Sequence, residues 1–555
     1  MQTEYDYIVI GAGSADCAVA ARLADGGNHS VALLEAGPHD HSPLVTVPVG
    51  FAATALKAGA RNYGLRTERE PHLNHRRGYQ PRGRGLGGSS SINGMVYVRG
   101  TPGDYDGWAA AGCTGWAWAD VLPYFRRSEC NEWVAGRDDD PLHGGHGPLH
   151  VSDLRSPNPI SRRFIEAAIA AGHRRNSDFN GSRQEGAGLY QVTQHRGERW
   201  NAARAYLHRG ERGSGTLSGG RANLSVLPDT QVRRIRFEGR AAVGASVVHD
   251  GKERTLVSRR EIVLSGGAFG SPHLLMLSGV GPASHLRNLD IPVVFDAPEV
   301  GQNLQEHADV LLSWRLNTAN LFGVSLRGGL RMLFELQRYW RQRRGMLTSN
   351  IVEAGVFIKS RPELAEPDVQ LAFAVALLDR RRFTEHGYSC HVTVLRPFSR
   401  GQVRLVSPNA DRSPAIELNL LSDPRDMNVL VAGVRATKLI FDQEPMSCLG
   451  GKELHHGHLN TDRCDDEAVR KLVRDRADTV FHPVGTCRMG SDEASVVDPQ
   501  LRVRGVGGLR VADASIMPTL ISGNTNAPAM MIGEKAADLI LGRPKDASIG
   551  DGSFK

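Results

Sequence analysis

The 555-residue sequence has no uninterrupted apolar run of the roughly 18 residues that a spanning helix needs, no cysteine pair at Cys-x-x-Cys spacing and no internal repeat. The first lack excludes a transmembrane helix. Seven cysteines, at positions 17, 113, 130, 390, 448, 464 and 487, are odd in number and widely scattered. That excludes a disulfide framework and a zinc site, so no metal is expected, and it fits a reducing cytoplasm. Aromatic residues make up only 6% and are nowhere interleaved with basic tracts. A net charge of +7 and a pI near 9.1 therefore do not signal nucleic-acid binding. Strand pattern begins at Tyr5, which leaves no signal peptide ahead of it and sets a cytoplasmic expectation. Apolar content of 40% and charged content of 23% are those of a globular protein, and the length predicts two domains.

The first 37 residues carry the strongest pattern. Tyr5 to Ile10 is a β-branched, apolar run that reads as a buried strand. Gly11-Ala12-Gly13-Ser14-Ala15 turns it into a helix over about 14–26, and Val31 to Leu34 forms a second strand ending at Glu35. Such glycines let backbone approach a pyrophosphate, and the helix N-terminus offers it unpaired N–H groups and positive dipole. Glu35 follows Gly11 by 24 positions, near the roughly 20-residue spacing at which an acid holds a ribose hydroxyl. Asp16 breaks the pattern, because that position calls for Gly or Ala. Its carboxylate adds bulk and negative charge beside a phosphate site, so reduced cofactor affinity, or a shifted helix, is expected.

Further along, the segment from Pro81 to Gly94 is so rich in glycine and serine that it reads as an anion- or ring-binding loop, running into the apolar Met95 to Val98. Strands are predicted at 224–227, 243–248 and 261–264, the last followed by a glycine turn and a helix carrying Leu274, Leu275 and Leu277. Leu509 to Asp513 repeats the strand-to-acid step and leads to a helix ending near Leu541. The fold expected is α/β, α+β overall. A Rossmann-like nucleotide domain is assembled from residues 1–155, 221–310 and 471–545. A second domain with an antiparallel sheet and helices takes 156–220 and 311–470, and 546–555 form a loose tail. Residues 403–406 and 415–418 read as antiparallel strands of that second domain. Between 326 and 344, Leu326, Leu330, Leu333, Phe334 and Trp340 recur at helical spacing among six arginines. Two readings fit that segment: a solvated helix covering the second domain, or an interfacial helix on anionic lipid.

Four segments, Arg82 to Asn93, Gly267 to Gly281, His482 to Thr486 and Gly523 to Pro528, resemble the landmark motifs of the glucose–methanol–choline (GMC) oxidoreductases, FAD enzymes that oxidise alcohols. The resemblance runs from Tyr5 to about Leu541. It implies FAD, with Gly11, Gly13, Ser14 and Glu35 at its ADP half. Arg82 and the Gly87, Gly88, Ser89, Asn93, Gly94 loop would lie along the isoalloxazine and pyrophosphate. Val232, Asp513, Asn526 and Pro528 complete the cofactor set. Members with covalent flavin have histidine in the place of Ile92, so FAD is expected to be non-covalent here. Other departures are Gly266 for alanine and Glu306 for aspartate in Leu304-Gln305-Glu306-His307. By the same resemblance His482 is the base that takes the hydroxyl proton, and Asn524 hydrogen-bonds the developing alkoxide.

The implied reaction is oxidation of a primary alcohol, medium-chain aliphatic or aromatic, to the aldehyde. Glu353 aligns with a glutamate that pairs with a quaternary ammonium in choline oxidases, which keeps choline dehydrogenation as the alternative. Phe481, beside the base, favours apolar substrates, and Phe481 and Glu353 are the expected substrate contacts. Oxygen, a dye or a quinone could take the electrons. The basic segment at 326–344 tilts this toward a membrane quinone, with peripheral contact at the inner face of the membrane. A remote reading is a flavin-free binding protein disabled by Asp16.

Overall fold

The computed structural model describes residues 2–208, 220–318, 320–323, 325–378, 385–454 and 466–544. The expected tail at 546–555 and Cys464 lie outside these residues.

The first sheet contains seven strands: β1 (Glu4–Ile10), β2 (Val31–Leu34), β3 (Leu224–Leu227), β4 (Thr230–Glu238), β5 (Ala241–His249), β6 (Lys252–Leu264) and β7 (Leu509–Val511). Their order is β3-β2-β1-β6-β5-β4, with β7 beside β6. Strands β3, β2, β1, the second half of β6, and β7 are parallel neighbours, with Ile8 opposite both Ala32 and Ile262, and Ile262 opposite Leu509. Parallel strands are covered on both faces, so they carry continuous apolar runs rather than alternation. Tyr7 to Ile10 and Val31 to Leu34 are accordingly buried throughout. The first half of β6 turns antiparallel to β5 and closes a meander with β4.

Helix α1 (Ser14–Ala24) covers one face and is nearly all small: Ala15, Ala18, Ala20, Ala21 and Ala24 are buried. Helix α5 (Asn526–Leu541) packs against it so closely that a Cβ on Gly533 would stand 2.3 Å from the carbonyl oxygen of Ala15. Only glycine permits that approach.

A second sheet is antiparallel along its main path. Its order is Lys452–Glu453, Ala308–Arg315, Gly387–Val394, Val369–Ala374, Val352–Ile358 and Gly186–Leu189, with Asp478–Thr479 also beside Ala308–Arg315. Aromatics fasten helices to one face: Phe164 stacks on Phe373 at 4.7 Å, and Phe441, at the end of α4 (Pro424–Phe441), on Trp314 at 4.0 Å. Residues 308–310 and 478–479 are strands of this sheet although they lie on the nucleotide-domain side of the boundaries expected from sequence. The strands Gln402–Arg404 and Ala415–Glu417 pair only with each other, as a separate ribbon.

Candidate active site

The carboxyl ends of four parallel strands, at Gly11, Glu35, Ser265 and Asp513, open into one cavity of about 1060 Å³ that extends under the second sheet. Crevices at the carboxyl ends of parallel strands are where this kind of sheet binds ligands. Two helix N-termini converge there: Ser14 of α1 donates its hydroxyl to Asn526 Oδ1 of α5 at 2.7 Å. Their exposed N–H groups and dipoles give this end of the cavity a positive bias. The glycine loop lies against the same turn, with Gly87 N–H donated to the Ala12 carbonyl at 2.8 Å. Gly88 has φ +50, and a Cβ there would come within 2.6 Å of Gly13 Cα. Under the loop the buried Arg199 donates to Asn93 Oδ1 at 2.7 Å and to the Ser90 carbonyl at 3.1 Å.

The acids at this end are already engaged. Glu35 accepts three backbone N–H groups, from Ala12 at 3.1 Å and from Gly37 and Gly85 at 2.8 Å each. Asp513 accepts from Gly267 N–H and the Ser271 hydroxyl at 2.8 and 2.5 Å, fixing the start of the helix Gly267–Leu277, here α2. Asp16 stands in the first turn of α1. Its carboxylate folds back and accepts the Gly13 N–H at 2.7 Å, taking a donor that a pyrophosphate would use. Burial, with Glu35 and Asp513 close by, pushes this carboxyl well above the usual range.

At the other end, His482 and Asn524 line the cavity, and their side chains meet with Nε2 and Nδ2 3.2 Å apart. Phe481 precedes the histidine in a left-handed conformation, φ 70, a cost for a bulky residue. Its carbonyl accepts from Arg82 at 2.7 Å. Behind His482 stands His307, fully buried, with the two Nδ1 atoms 3.0 Å apart. The partners of His307 assign the tautomers of both rings. Its Nε2 faces the carbonyls of Leu395 and Ile521, each at 3.1 Å, and carbonyls only accept. His307 Nε2 therefore carries the hydrogen. Burial lowers this imidazole to about 4, so it is neutral and its Nδ1 is bare. His482 must then donate its Nδ1–H to that atom. Its own burial, with His307 and Arg82 adjacent, lowers it well below the ordinary imidazole value, so its Nε2 carries no hydrogen and accepts the Asn524 amide N–H at 3.2 Å. Glu306 Oε1 fixes the pair by accepting the backbone N–H of both His482 and His307, at 2.6 and 2.9 Å.

With that geometry in view, comparison with known proteins is decisive. Models of the GMC oxidoreductase N- and C-terminal regions match residues 5–309 and 397–533. The chain is a GMC oxidoreductase. It is 43% identical to "Alcohol dehydrogenase [acceptor]" of Pseudomonas putida over 98% of both chains. It is 41% identical to mitochondrial choline dehydrogenase of Mus musculus, over 98% of this chain and 90% of that one. Among solved structures, a variant of Aspergillus oryzae formate oxidase, studied for the effect of its mutation on FAD modification, superposes with a TM-score of 0.85. That match is 26% identical over 97% of this chain and 98% of the other.

FAD is the cofactor of this GMC oxidoreductase, and the site fits it. Gly11, Gly13, Ser14, Glu35, Arg82, Gly88, Ser89, Asn93, Gly94, Val232, Asp513 and Asn526 all face one cavity. The half-buried Gly94 has nothing within 4 Å of where a Cβ would stand. Ile92 also lines the cavity and offers no nucleophilic atom.

Three expected contacts fall elsewhere. Gly87 and Pro528 do not line the cavity. The first ties the loop to the β1–α1 turn from behind, and the second starts α5, where a proline costs nothing in the first turn. Glu353 does not line it either. Its carboxylate is buried and accepts from the Ser349 and Ser161 hydroxyls at 2.6 and 2.7 Å and from Asn158 N–H at 2.7 Å. The neighbouring Val352 takes the cavity face, while Glu353, the unpaired residue of a bulge against Val369–Ala374, turns its carboxylate away from it. Burial raises this carboxyl, which no cation among the described residues offsets.

Sequence reasoning did not single out His307, Arg199, or the pair Asp309 and His391. Asp309 lies two residues past His307, lines the cavity, and binds His391 Nδ1 at 2.7 Å and the Thr393 hydroxyl at 2.8 Å. Burial alone would lower His391, but Asp309 outweighs it and raises the imidazole. The acid–histidine step at Glu306-His307, just ahead of an apolar strand, was the available signal.

Proposed function

We propose that this enzyme oxidises an uncharged primary alcohol, medium-chain aliphatic or aromatic, to the aldehyde. The observation that carries the reading is the bare Nε2 of His482, held toward the cavity by the His307 tautomer. A neutral imidazole whose lone pair lies on the substrate side can take the hydroxyl proton of an alcohol that replaces the Asn524 amide as its partner. The Asn524 amide N–H then stabilises the alkoxide as it forms. FAD, when bound, accepts the hydride at N5 and passes the electrons on to an acceptor. Ile92 in the wall supports a cofactor that dissociates.

The preference for an uncharged substrate rests on the walls. Val96, Leu311, Ile351, Val352, Ala372 and Leu378 supply apolar surface. Choline, the second reading, is favoured by the Asp309 carboxylate in the wall. Both of its oxygens are committed, one to an imidazole held above its usual pKa, so little negative charge is left for a quaternary ammonium. As acceptor we propose a membrane quinone, in keeping with the exposed helix treated below; the name of the Pseudomonas putida relative says only that an acceptor is used. An anaerobic visible spectrum tests the substrate. Bleaching of the flavin band by 1-octanol but not by choline is expected, and bleaching by choline alone would overturn the reading.

A further inference from the structure

We propose that the helix Leu326–Gln342, here α3, docks this protein onto an anionic lipid surface, lying flat in the headgroup region. Five of the twelve exposed large hydrophobic side chains found among the described residues stand on this one helix. They are Leu330 (57% exposed), Leu333 (63%), Phe334 (73%), Leu336 (41%) and Trp340 (71%). Spacings of three, four and six residues put them on one broad face. The opposite face is polar and turned inward: Glu335 and Tyr339 are buried, and Glu335 accepts the Met346 N–H at 2.7 Å. A helix resting on a water-facing protein surface shows the reverse arrangement, apolar side in and charged side out.

The helix is also fixed in place. Ser325 caps its N-terminus by accepting the Gly328 N–H at 2.9 Å, and bonds to His386 Nε2 at 2.7 Å. Arg343 ends it in the left-handed region, with φ 52. The apolar face is thus held outward rather than captured on the way to another position.

Charge selects the occupant. Arg338, Arg341 and Arg344 are exposed at or near the same face, whereas the one acid between 325 and 345 is the inward Glu335. A second copy brought to this face would set arginines against arginines. Anionic headgroups pair with them while the leucines, Phe334 and Trp340 enter the acyl boundary, the arrangement of an interfacial helix. No helix among the described residues is long and apolar enough to cross a membrane, so the contact is one of lying on it. The end of the helix leads toward the cavity: Met346–Thr348, just past α3, pack against Pro48–Gly50, and the residues that follow these, Phe51 and Ala52, line the cavity. The proposal does not depend on the alcohol reading and would stand if the substrate proved different.

Co-sedimentation of the holoenzyme with vesicles tests it. Vesicles of phosphatidylcholine with a quarter phosphatidylglycerol should bind the protein at least about tenfold more tightly than phosphatidylcholine alone, and salt should weaken the binding. The double variant Phe334→Asp/Trp340→Asp alters only exposed side chains and should keep its flavin spectrum, yet lose vesicle binding by about 100-fold. Arg338→Glu/Arg341→Glu should abolish the preference for anionic vesicles. No binding by the wild type, or equal binding by the Phe334/Trp340 variant, would overturn the proposal. So would sedimentation-velocity evidence of a dimer that this variant dissociates, since the face would then belong to a second copy.

Discussion

The two ends of the cavity solve different problems with different parts of the chain. At the strand ends, backbone does the work: two helix N-termini set the electrostatics, and side chains such as Asp16, Glu35 and Asp513 hold the backbone in shape. At the histidine end the order is inverted. Side chains carry the chemistry, and backbone groups, the carbonyls of Leu395 and Ile521, decide where one proton sits. A site built on backbone depends on close approach and tolerates many neighbouring side chains. A site built on a chain of tautomers has no tolerance for losing a link.

The sharpest test of that contrast removes the last link. His482→Ala should keep its FAD and lower the rate of flavin reduction by alcohol by roughly 10³-fold, measured by anaerobic stopped flow. Unchanged reduction would remove the histidine from its role. One step back, His307→Phe takes away the acceptor for His482 Nδ1–H and frees the wrong tautomer. Reduction should fall by roughly 10²-fold with little change in KM, and the low-pH limb of the rate profile should move. A merely structural role would leave that limb where it was.

At the backbone end the expected effect is smaller. Asp16→Gly returns the Gly13 N–H and should tighten FAD binding by roughly tenfold, read by titrating the apoprotein with FAD. Asp16 has its carboxyl raised by burial, so it is protonated below that raised value and ionised above it. Wild-type FAD affinity should therefore weaken as pH rises through it, and the glycine variant should lose this dependence. Outside both ends, Glu353→Gln should leave the octanol-to-choline preference untouched while costing about 1–3 kcal/mol of stability, seen as a lower melting temperature. A selective gain or loss with choline would put Glu353 back at the substrate.

His307 also sets a direction for stability. Its imidazole drops from 6.5 to about 4 on folding, so the unfolded chain takes up the proton first. The stability this neutral ring contributes is complete above pH 6.5 and is lost as pH falls from there toward about 4.

What the sequence disclosed follows the same division. The β1–α1–β2 unit and Glu35 were legible because every part lies within 37 residues and obeys local rules of period and turn. His482 could be named by resemblance, but its partner could not: His307 is 175 positions away, and the pairing of Ala308–Arg315 with Asp478–Thr479, with the Gln305–Val484 bridge, brings the two together. Glu353 misled for a reason of one residue. Motif alignment fixes position along a strand, and the bulge at Glu353 sets which way its side chain turns. Asp16 was rightly noticed as foreign, but only the structure shows it bonded to the turn it was expected to disturb.

The place of β7 has a consequence for how the protein is made. That strand lies beside β6, yet some 245 residues separate Leu264 from Leu509. At ribosomal speeds of about 5–20 residues per second, β6 waits on the order of tens of seconds for its neighbour. During that interval one edge of the parallel sheet is bare, and both Asp513 and α5 are still unmade. The nascent chain can therefore assemble the β1–α1–β2 turn early, but it cannot close the cofactor crevice until nearly all of it has been synthesised. Flavin capture is thus a late event in the life of each molecule, and a chain interrupted before residue 509 is left with an open strand edge exposed to aggregation.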